Sequence, residues 1–166
     1  MGDTDAGEAD GTAESDESAA SSAAANEATD ATIRDMLAAD TIAVVGCSTT
    51  AGKAAHDVPR YLQEHGYRIV PVNPFADEVL GEPAYDRLTD VPEEVHVDVV
   101  DVFRPSEEVS GIVDDALARR DAAGDVDGLW LQLGIRDDEA AARAEAAGIA
   151  VVQDRCLKVE HGRLED

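Results

Sequence analysis

Short runs of apolar residues recur along the chain, each bounded by glycine, proline or polar residues. Runs of four to eight residues rich in β-branched side chains are typical of strands that are buried on both faces. They predict strands at Thr41–Gly46, Tyr67–Val72, Val97–Phe103, Leu129–Leu133 and Ile149–Val152. Pro83–Tyr85 indicates a very short edge strand, a position where proline is tolerated.

The segments between these strands place apolar residues at i, i+3 and i+4, the spacing of one helix face. Ile33, Met36 and Leu37 show this spacing in a leading helix, for which Thr32 is the predicted cap. Further helices are predicted up to Gly66, from Pro105–Glu108 onwards, from Asp137 to Gly148, and at the C-terminus with Asp154 as the cap.

Strands that are apolar throughout and alternate with helices predict a parallel sheet covered on both faces. With right-handed crossovers, this is an α/β fold with a doubly wound, Rossmann-like parallel sheet in three layers, α/β/α. Ligands of such folds bind beyond the carboxyl ends of the strands. The loops that follow the strands are therefore the segments to search for function.

The chain is strongly acidic, with 37 Asp and Glu against 13 Lys and Arg and a formal charge of -24. Residues 1–30 hold nine of the acids, no Lys or Arg, and no large aliphatic residue after Met1. Such a segment cannot bury enough apolar surface to fold, so we expect a disordered acidic arm at 1–30 and a folded domain at 31–166.

The folded part keeps 28 acids against 13 bases, and only Lys53 and Lys158 are lysines. This composition predicts a halophilic protein, because concentrated salt screens the repulsion between carboxylates. The same field disfavours nucleic acid and anionic membrane surfaces as partners. With two cysteines, no apolar run of about 20 residues and no signal-peptide pattern, we expect a cytoplasmic protein.

The loop from Gly46 to Lys53 combines hydroxyls and glycines just before a predicted helix, a composition suited to phosphate. It is not a Walker A loop, because five residues separate Gly46 from Gly52 and Ala54 follows the lysine. The dinucleotide fingerprint fits only in part, since Ser48 stands at its middle glycine. Asn73 also follows the second strand, where an NAD site would place an acidic residue, which disfavours classical NAD binding.

Taken together, the motifs resemble the small stand-alone CoA-binding proteins, which are similar to the CoA-binding domain of succinyl-CoA synthetase. The resemblance runs in order from Ile33 to Leu164 and rests on Ile42-Ala-Val-Val-Gly-Cys-Ser48, Pro71-Val-Asn-Pro74, Phe103-Arg-Pro105, Trp130-x-Gln-x-Gly134 and Asp154-Arg-Cys156. It implies six strands in the order 3-2-1-4-5-6, with Pro83–Tyr85 as the third, and coenzyme A or an acyl-CoA as the ligand.

The candidate ligand-binding residues lie in four loops that follow strands. They are Gly46, Ser48, Thr49, Thr50, Ala51 and Lys53 in the first loop, then Asn73 and Pro74, then Phe103, Arg104 and Pro105, and finally Gln132 and Gly134. The resemblance implies that Asn73 and Pro74 border the adenosine. Plainer roles stay open: an ion pair of Arg104 with Asp101 or Glu107, a turn at Asn73, core packing for Phe103, and backbone contacts for Gln132.

The hypothesis that fits these residues best is binding of coenzyme A or an acyl-CoA without catalysis. We identify no catalytic residue and no metal site, because the four histidines show no H-x-x-x-H spacing. Two alternatives remain. One is a thioester or disulfide enzyme that uses Cys47 or Cys156, and the other is an NAD(P)-binding or other nucleotide-binding domain.

Overall fold

The computed structural model describes residues 28–165. Its helices are α1 (Asp30–Leu37), α2 (Ala54–Glu64), α3 (Val109–Ala123), α4 (Asp138–Ala146) and α5 (Leu157–Glu165). Its strands are β1 (Thr41–Val45), β2 (Arg68–Val72), β3 (Glu78–Val79), β4 (Glu82–Pro83), β5 (Val99–Val102), β6 (Gly128–Leu131) and β7 (Ala150–Val152). Residues 1–27 of the predicted acidic arm lie outside the described residues. The disorder of the arm and the domain boundary therefore stay predictions.

Five of the strands form one parallel sheet in the order β2-β1-β5-β6-β7. Ile42 of β1 pairs with Ile69 of β2 on one side and with Val99 of β5 on the other, so β1 lies between these two strands. The chain leaves β1 towards β2 and later returns to place β5 on its other side. This reversal confirms the doubly wound topology and puts the switch point between β1 and β5.

The sheet separates two buried clusters, which confirms the three-layer arrangement. On one face, Ala43 and Val100 pack with residues of α3 and α4, among them Val113 and Ala144. On the other face, strand residues such as Val44 and Trp130 pack with α1, α2 and α5. Neighbouring residues of a strand thus enter opposite clusters, as the alternation of side chains along a strand requires.

The third strand is the part of the topology that differs from the prediction. Glu78–Val79 and Glu82–Pro83 form a separate antiparallel pair, and only Tyr85 reaches the main sheet, through one parallel bridge to Val72. The reason is local, because Pro83 has no N–H to donate and the N–H of Ala84 bonds to Asp77 O at 2.9 Å. The edge position next to β2 is right, but the sheet has five strands.

The helix caps also differ from the predicted ones at both ends of the chain. Thr29, not Thr32, caps α1, because its Oγ1 accepts the N–H of Thr32 at 3.1 Å. Asp154 does not cap α5, which begins three residues later at Leu157. Within residues 28–165, no helix is both long and apolar enough to cross a bilayer.

Candidate functional site

A cleft of about 680 Å³ opens at the carboxyl ends of β1, β2 and β5, at the switch point of the sheet. Eight of the thirteen predicted residues line it: Gly46, Ser48, Thr49, Lys53, Asn73, Pro74, Phe103 and Arg104. Thr50, Ala51, Pro105, Gln132 and Gly134 are not part of its lining. Three of the four predicted loops therefore meet at this cleft, and the ligand contacts of all thirteen residues stay predictions.

Gly46 allows the two central loops to approach each other. Its φ is +87°, and a Cβ built on it would lie 2.8 Å from Arg104 Cδ and 3.2 Å from Phe103 O. Any larger residue would be strained in this backbone conformation and would displace the arginine. The absence of a side chain at Gly46 thus lets the stem of Arg104 lie across the floor of the cleft.

Hydrogen bonds within the loop from Gly46 to Lys53, and from this loop to the first residues of α2, stabilise its conformation. Ser48 N–H donates to Ala55 O at 2.9 Å, and Ser48 Oγ accepts the N–H of Thr50 at 3.0 Å. Gly52 N–H donates to Asp57 Oδ1 at 3.1 Å. Thr50 and Ala51 are exposed at the outside of this loop.

The start of α2 faces the cleft with unused donors. Lys53 occupies the cap position in an extended conformation, and its side chain makes no capping bond. Among the described residues, the N–H groups of Thr49, Ala54 and Ala55 have no acceptor. Free N–H groups at the positive end of a helix, next to a lysine, are suited to bind an anion.

Asn73 joins the loops that follow β1 and β2. Its Nδ2 donates to Cys47 O at 2.9 Å, and its Oδ1 accepts the N–H of Phe75 at 2.8 Å. The predicted turn is therefore present, and it supports the cleft from within. It also projects Phe75, which is 95% exposed, at the rim. An aromatic ring so exposed beside a cleft provides a surface for an apolar or aromatic part of a ligand.

Arg104 forms an ion pair, but with neither of the partners considered from the sequence. Its Nε and Nη2 donate to the two carboxylate oxygens of Glu108 at 3.0 and 2.8 Å. The side chains of the pair are 47% and 46% exposed. The hydrogen bonds from Arg104 hold the pKa of the Glu108 carboxyl below its usual value.

Glu108 and Asp86 both line the cleft, opposite in charge to Lys53 and Arg104. Sequence reasoning missed these two acids and Phe75, and it considered Cys47 only as a nucleophile. The i, i+4 spacing of Arg104 and Glu108 was a signal that could have identified one of them. Asp86 gave no such signal, because its position depends on the single bridge at Tyr85.

Gln132 lies below the cleft in a buried polar network. Its Nε2 donates to Asp101 Oδ1 at 2.6 Å, and its Oε1 accepts the N–H of Leu157 at 3.4 Å. Asp101 is fully buried, and its Oδ2 has no partner among the described residues. Desolvation raises the pKa of Asp101 to about 7.

The thiol of Cys47 lies at the base of the cleft but is not exposed. Burial, and secondarily the Asp101 carboxylate, raise its pKa to about 12. Because the thiolate is the nucleophile, a thiol with so high a pKa is unreactive at neutral pH. Cys47 and Cys156 are both free.

Gly134 and Pro105 also lie beyond the lining of the cleft. Gly134 N–H donates to Asp154 Oδ1 at 2.6 Å, so Asp154 closes the loop after β6 instead of capping α5. Pro105 is exposed just before the 3₁₀ turn Ser106–Glu108. The predicted contacts of these residues with a ligand stay predictions.

At the opposite edge of the sheet, ligating atoms of His96, Asp98 and Asp127 lie within 4.8 Å of one another. Asp98 has a structural explanation, because its Oδ2 accepts the N–H groups of Asp40 and Thr41 at 3.0 Å each. The cluster is remote from the cleft, and the cleft remains the candidate site.

The fold and the cleft together define a doubly wound α/β protein with an anion-competent cleft at its switch point. Residues 40–162 match the CoA binding domain family. The match covers most of the chain, and the protein belongs to this family, as the motifs along the sequence suggested.

Relatives of two kinds support the assignment. YneT, an uncharacterized protein of Bacillus subtilis, is 37% identical over 120 residues, which are 72% of this chain and 84% of YneT. The structure of cell-free ID.343 from Thermus thermophilus has a TM-score of 0.75 and 44% identity, and the match covers 82% of this chain and 99% of that one. The ADP-forming acetate–CoA ligase II of Archaeoglobus fulgidus is 35% identical over 72 residues, only 11% of its length.

Proposed function

We propose that this protein binds coenzyme A or an acyl-CoA in the cleft at the switch point. The observation that carries the proposal is the set of free N–H groups at Thr49 and Ala55, which line the cleft with Lys53, and at Ala54 between them. These donors are suited to the pyrophosphate of coenzyme A. Membership of the CoA binding domain family supports the same ligand.

The walls of the cleft suggest how the rest of the ligand lies. Asn73 and Pro74, with the exposed ring of Phe75, form a surface for the adenosine. Phe103 and Arg104 line the opposite wall, where the pantetheine arm would leave the phosphates. Gln132 and Gly134, which are also predicted ligand contacts, lie outside the cleft lining, so this path of the arm does not require them.

Binding without catalysis is the form of this function that the side chains favour. The alternative of a thiol enzyme at Cys47 needs an accessible, ionised cysteine, and the buried Cys47 with its raised pKa is neither. The same alternative at Cys156, which is only partly buried, stays open. Asp86 is the observation that favours a second candidate, an NAD-type ligand, because a carboxylate in the cleft accepts hydrogen bonds from ribose hydroxyls.

We also infer that binding takes place in the cytoplasm at high salt. The excess of 37 acids over 13 bases supports the salt requirement, and the two free cysteines fit a reducing compartment. Experiments on binding therefore belong in molar KCl.

Calorimetric titration of the full chain with coenzyme A, acetyl-CoA and NAD tests the proposal. We expect saturable binding of one or both CoA species and much weaker binding of NAD. At 100 times Kd, the ligand should also stabilise the fold by about 2.7 kcal/mol in thermal unfolding. Tighter binding of NAD than of either CoA species, or no binding of CoA, would overturn it.

A further inference from the structure

Glu108 occupies the edge of Arg104 that a ligand phosphate would use. Both side chains line the cleft, and the Nε–Nη2 edge of the guanidinium is taken up by the two carboxylate oxygens at 3.0 and 2.8 Å. It is one of the two edges of a guanidinium that bind carboxylates and phosphates in the bidentate geometry. A phosphate and Glu108 therefore cannot both hold it.

Glu108 is not needed to keep Arg104 in the cleft. The stem of the arginine lies on Gly46, where Cδ and Cγ come within 2.8 and 3.3 Å of the Cβ position that glycine leaves empty. This close approach places the stem of Arg104 beside Gly46 without using the guanidinium. The ion pair itself is nearly half exposed, and pairs of this kind exchange their partners at little cost.

We infer that Glu108 is an internal counter-anion, which competes with the ligand's phosphates for Arg104 and so determines which anions the cleft accepts. The inference rests on the proposed function and adds a specificity-determining residue to it. An anion that makes no other contact gains little by replacing a carboxylate. A ligand that also binds the amides near Lys53 can displace Glu108 and use the released guanidinium.

Such competition gives the cleft a selectivity that cations alone would not provide. Lys53 and Arg104 attract any anion, whereas Glu108 and Asp86 cancel their charge until a ligand with several contacts binds. Inorganic pyrophosphate, which lacks the adenosine and the pantetheine arm, should therefore bind poorly to the unaltered protein.

The test compares Glu108→Gln with Glu107→Gln, its exposed neighbour outside the cleft. For Glu108→Gln we expect about fivefold tighter binding of coenzyme A, the size expected when one partly exposed ion pair no longer competes for Arg104, and measurable binding of inorganic pyrophosphate. Glu107→Gln should change both affinities less than about twofold, the range of a surface charge outside the site. The side chain of Glu108 makes no capping bond at the start of α3, so the variant should fold normally.

An Arg104→Ala background separates competition for the guanidinium from a general change of charge. There, Glu108→Gln should no longer raise the affinity for coenzyme A. Unchanged or weaker binding of coenzyme A by Glu108→Gln in the unaltered background would overturn the inference and assign Glu108 to positioning Arg104.

Failure of the proposed function would look different. In that case coenzyme A would bind neither the unaltered protein nor the variant, while pyrophosphate would still bind Glu108→Gln more tightly than the unaltered protein if the competition exists.

Discussion

The carboxyl edge of the sheet consists of two halves that use the same kinds of residue differently. In the half formed by the loops after β1, β2 and β5, N–H groups at Thr49, Ala54 and Ala55 are left without acceptors. In the half formed by the loops after β6 and β7, the polar groups of Gly134 and Gln132 already form hydrogen bonds with Asp154, Asp101 and Leu157. We call these the open half and the closed half.

The difference shows that residue type does not identify a binding residue by itself. A glycine or glutamine after a parallel strand binds a ligand only if its hydrogen-bonding groups are not already used within the protein. Helix starts occur in both halves. At α2 the first N–H groups are free, whereas at α5 Leu157 N–H already has Gln132 as its acceptor.

The largest expected effect concerns Asp101 of β5, which accepts a hydrogen bond from Gln132 of the closed half and whose Oδ2 has no partner among the described residues. Its folded pKa of about 7 exceeds the unfolded value near 3.8, so the folded state keeps a proton that the unfolded state loses. Stability should therefore fall as pH rises from about 4 to about 7, by at most about 4 kcal/mol, and then stay level. Asp101→Asn should lack this part of the pH dependence in chemical unfolding.

The exposed Asp121→Asn serves as the control for Asp101→Asn, because it removes a carboxylate without burial. Its profile should run parallel to that of the unaltered protein. If the profile of Asp101→Asn also runs parallel to that of the unaltered protein, the pKa of Asp101 is not raised in the folded state, and this prediction is wrong.

A matched pair of glycines tests the open half. Gly46 and Gly134 have φ of +87° and +85°, but only Gly46 has atoms close to its Cβ position. Alanine should cost about 1 to 2 kcal/mol of stability at either site through backbone strain. Gly46→Ala should in addition weaken binding of coenzyme A by about tenfold or more, because it displaces Arg104. Equal losses of affinity in calorimetry would show that the two halves contribute alike.

The two lysines provide the next comparison. Lys53 lines the cleft, whereas Lys158 Nζ lies 5.2 Å from the centroid of the Tyr61 ring on the helix face. Lys53→Ala should cost about 1 to 3 kcal/mol of binding free energy for coenzyme A through the loss of charge-assisted bonds. Lys158→Ala should leave affinity unchanged. If Lys158→Ala lost as much affinity for coenzyme A as Lys53→Ala, the loss at Lys53 would reflect only a long-range effect of net charge.

The smallest effect on the affinity for coenzyme A is expected at Gln132 of the closed half. Gln132→Ala leaves Asp101 Oδ1 without its donor and should lower stability by roughly 1 to 2 kcal/mol. Affinity for coenzyme A, measured at a temperature where the variant is folded, should stay within about twofold because the amide lies outside the cleft lining. A selective loss of affinity would instead support the ligand contact predicted from the sequence.

Much of the fold was predictable because continuous apolar runs admit few alternatives. The short apolar runs Ile42 to Val45 and Val99 to Val102 predicted buried strands, and the helical spacing in the segments between the strands predicted crossover helices. The pairing of Tyr85 with Val72 was not predictable in detail, because a single bridge depends on where the N–H of Ala84 is directed. The cap at Thr29, and the bond of Asp154 to Gly134 in place of a helix cap, depended on similarly local choices.

The site was predictable to the level of its loops. The glycine and hydroxyl pattern of the loop from Gly46 to Lys53 identified one wall, and the position of Arg104 after a strand identified another. The partner of Arg104 was missed because the phase of the turn Ser106–Glu108 decides whether Glu107 or Glu108 faces the arginine. The burial that raises the pKa of Asp101 likewise follows from packing and not from the residue itself.

The most direct test of the division into halves is a backbone amide NMR titration of the full chain with coenzyme A in molar KCl. We predict that the largest chemical-shift changes occur at the free amides of Thr49, Ala54 and Ala55, while the amides of Gly134 and Leu157 stay nearly unchanged. Largest changes at Gly134 and Leu157, with the amides at the start of α2 unaffected, would contradict this prediction.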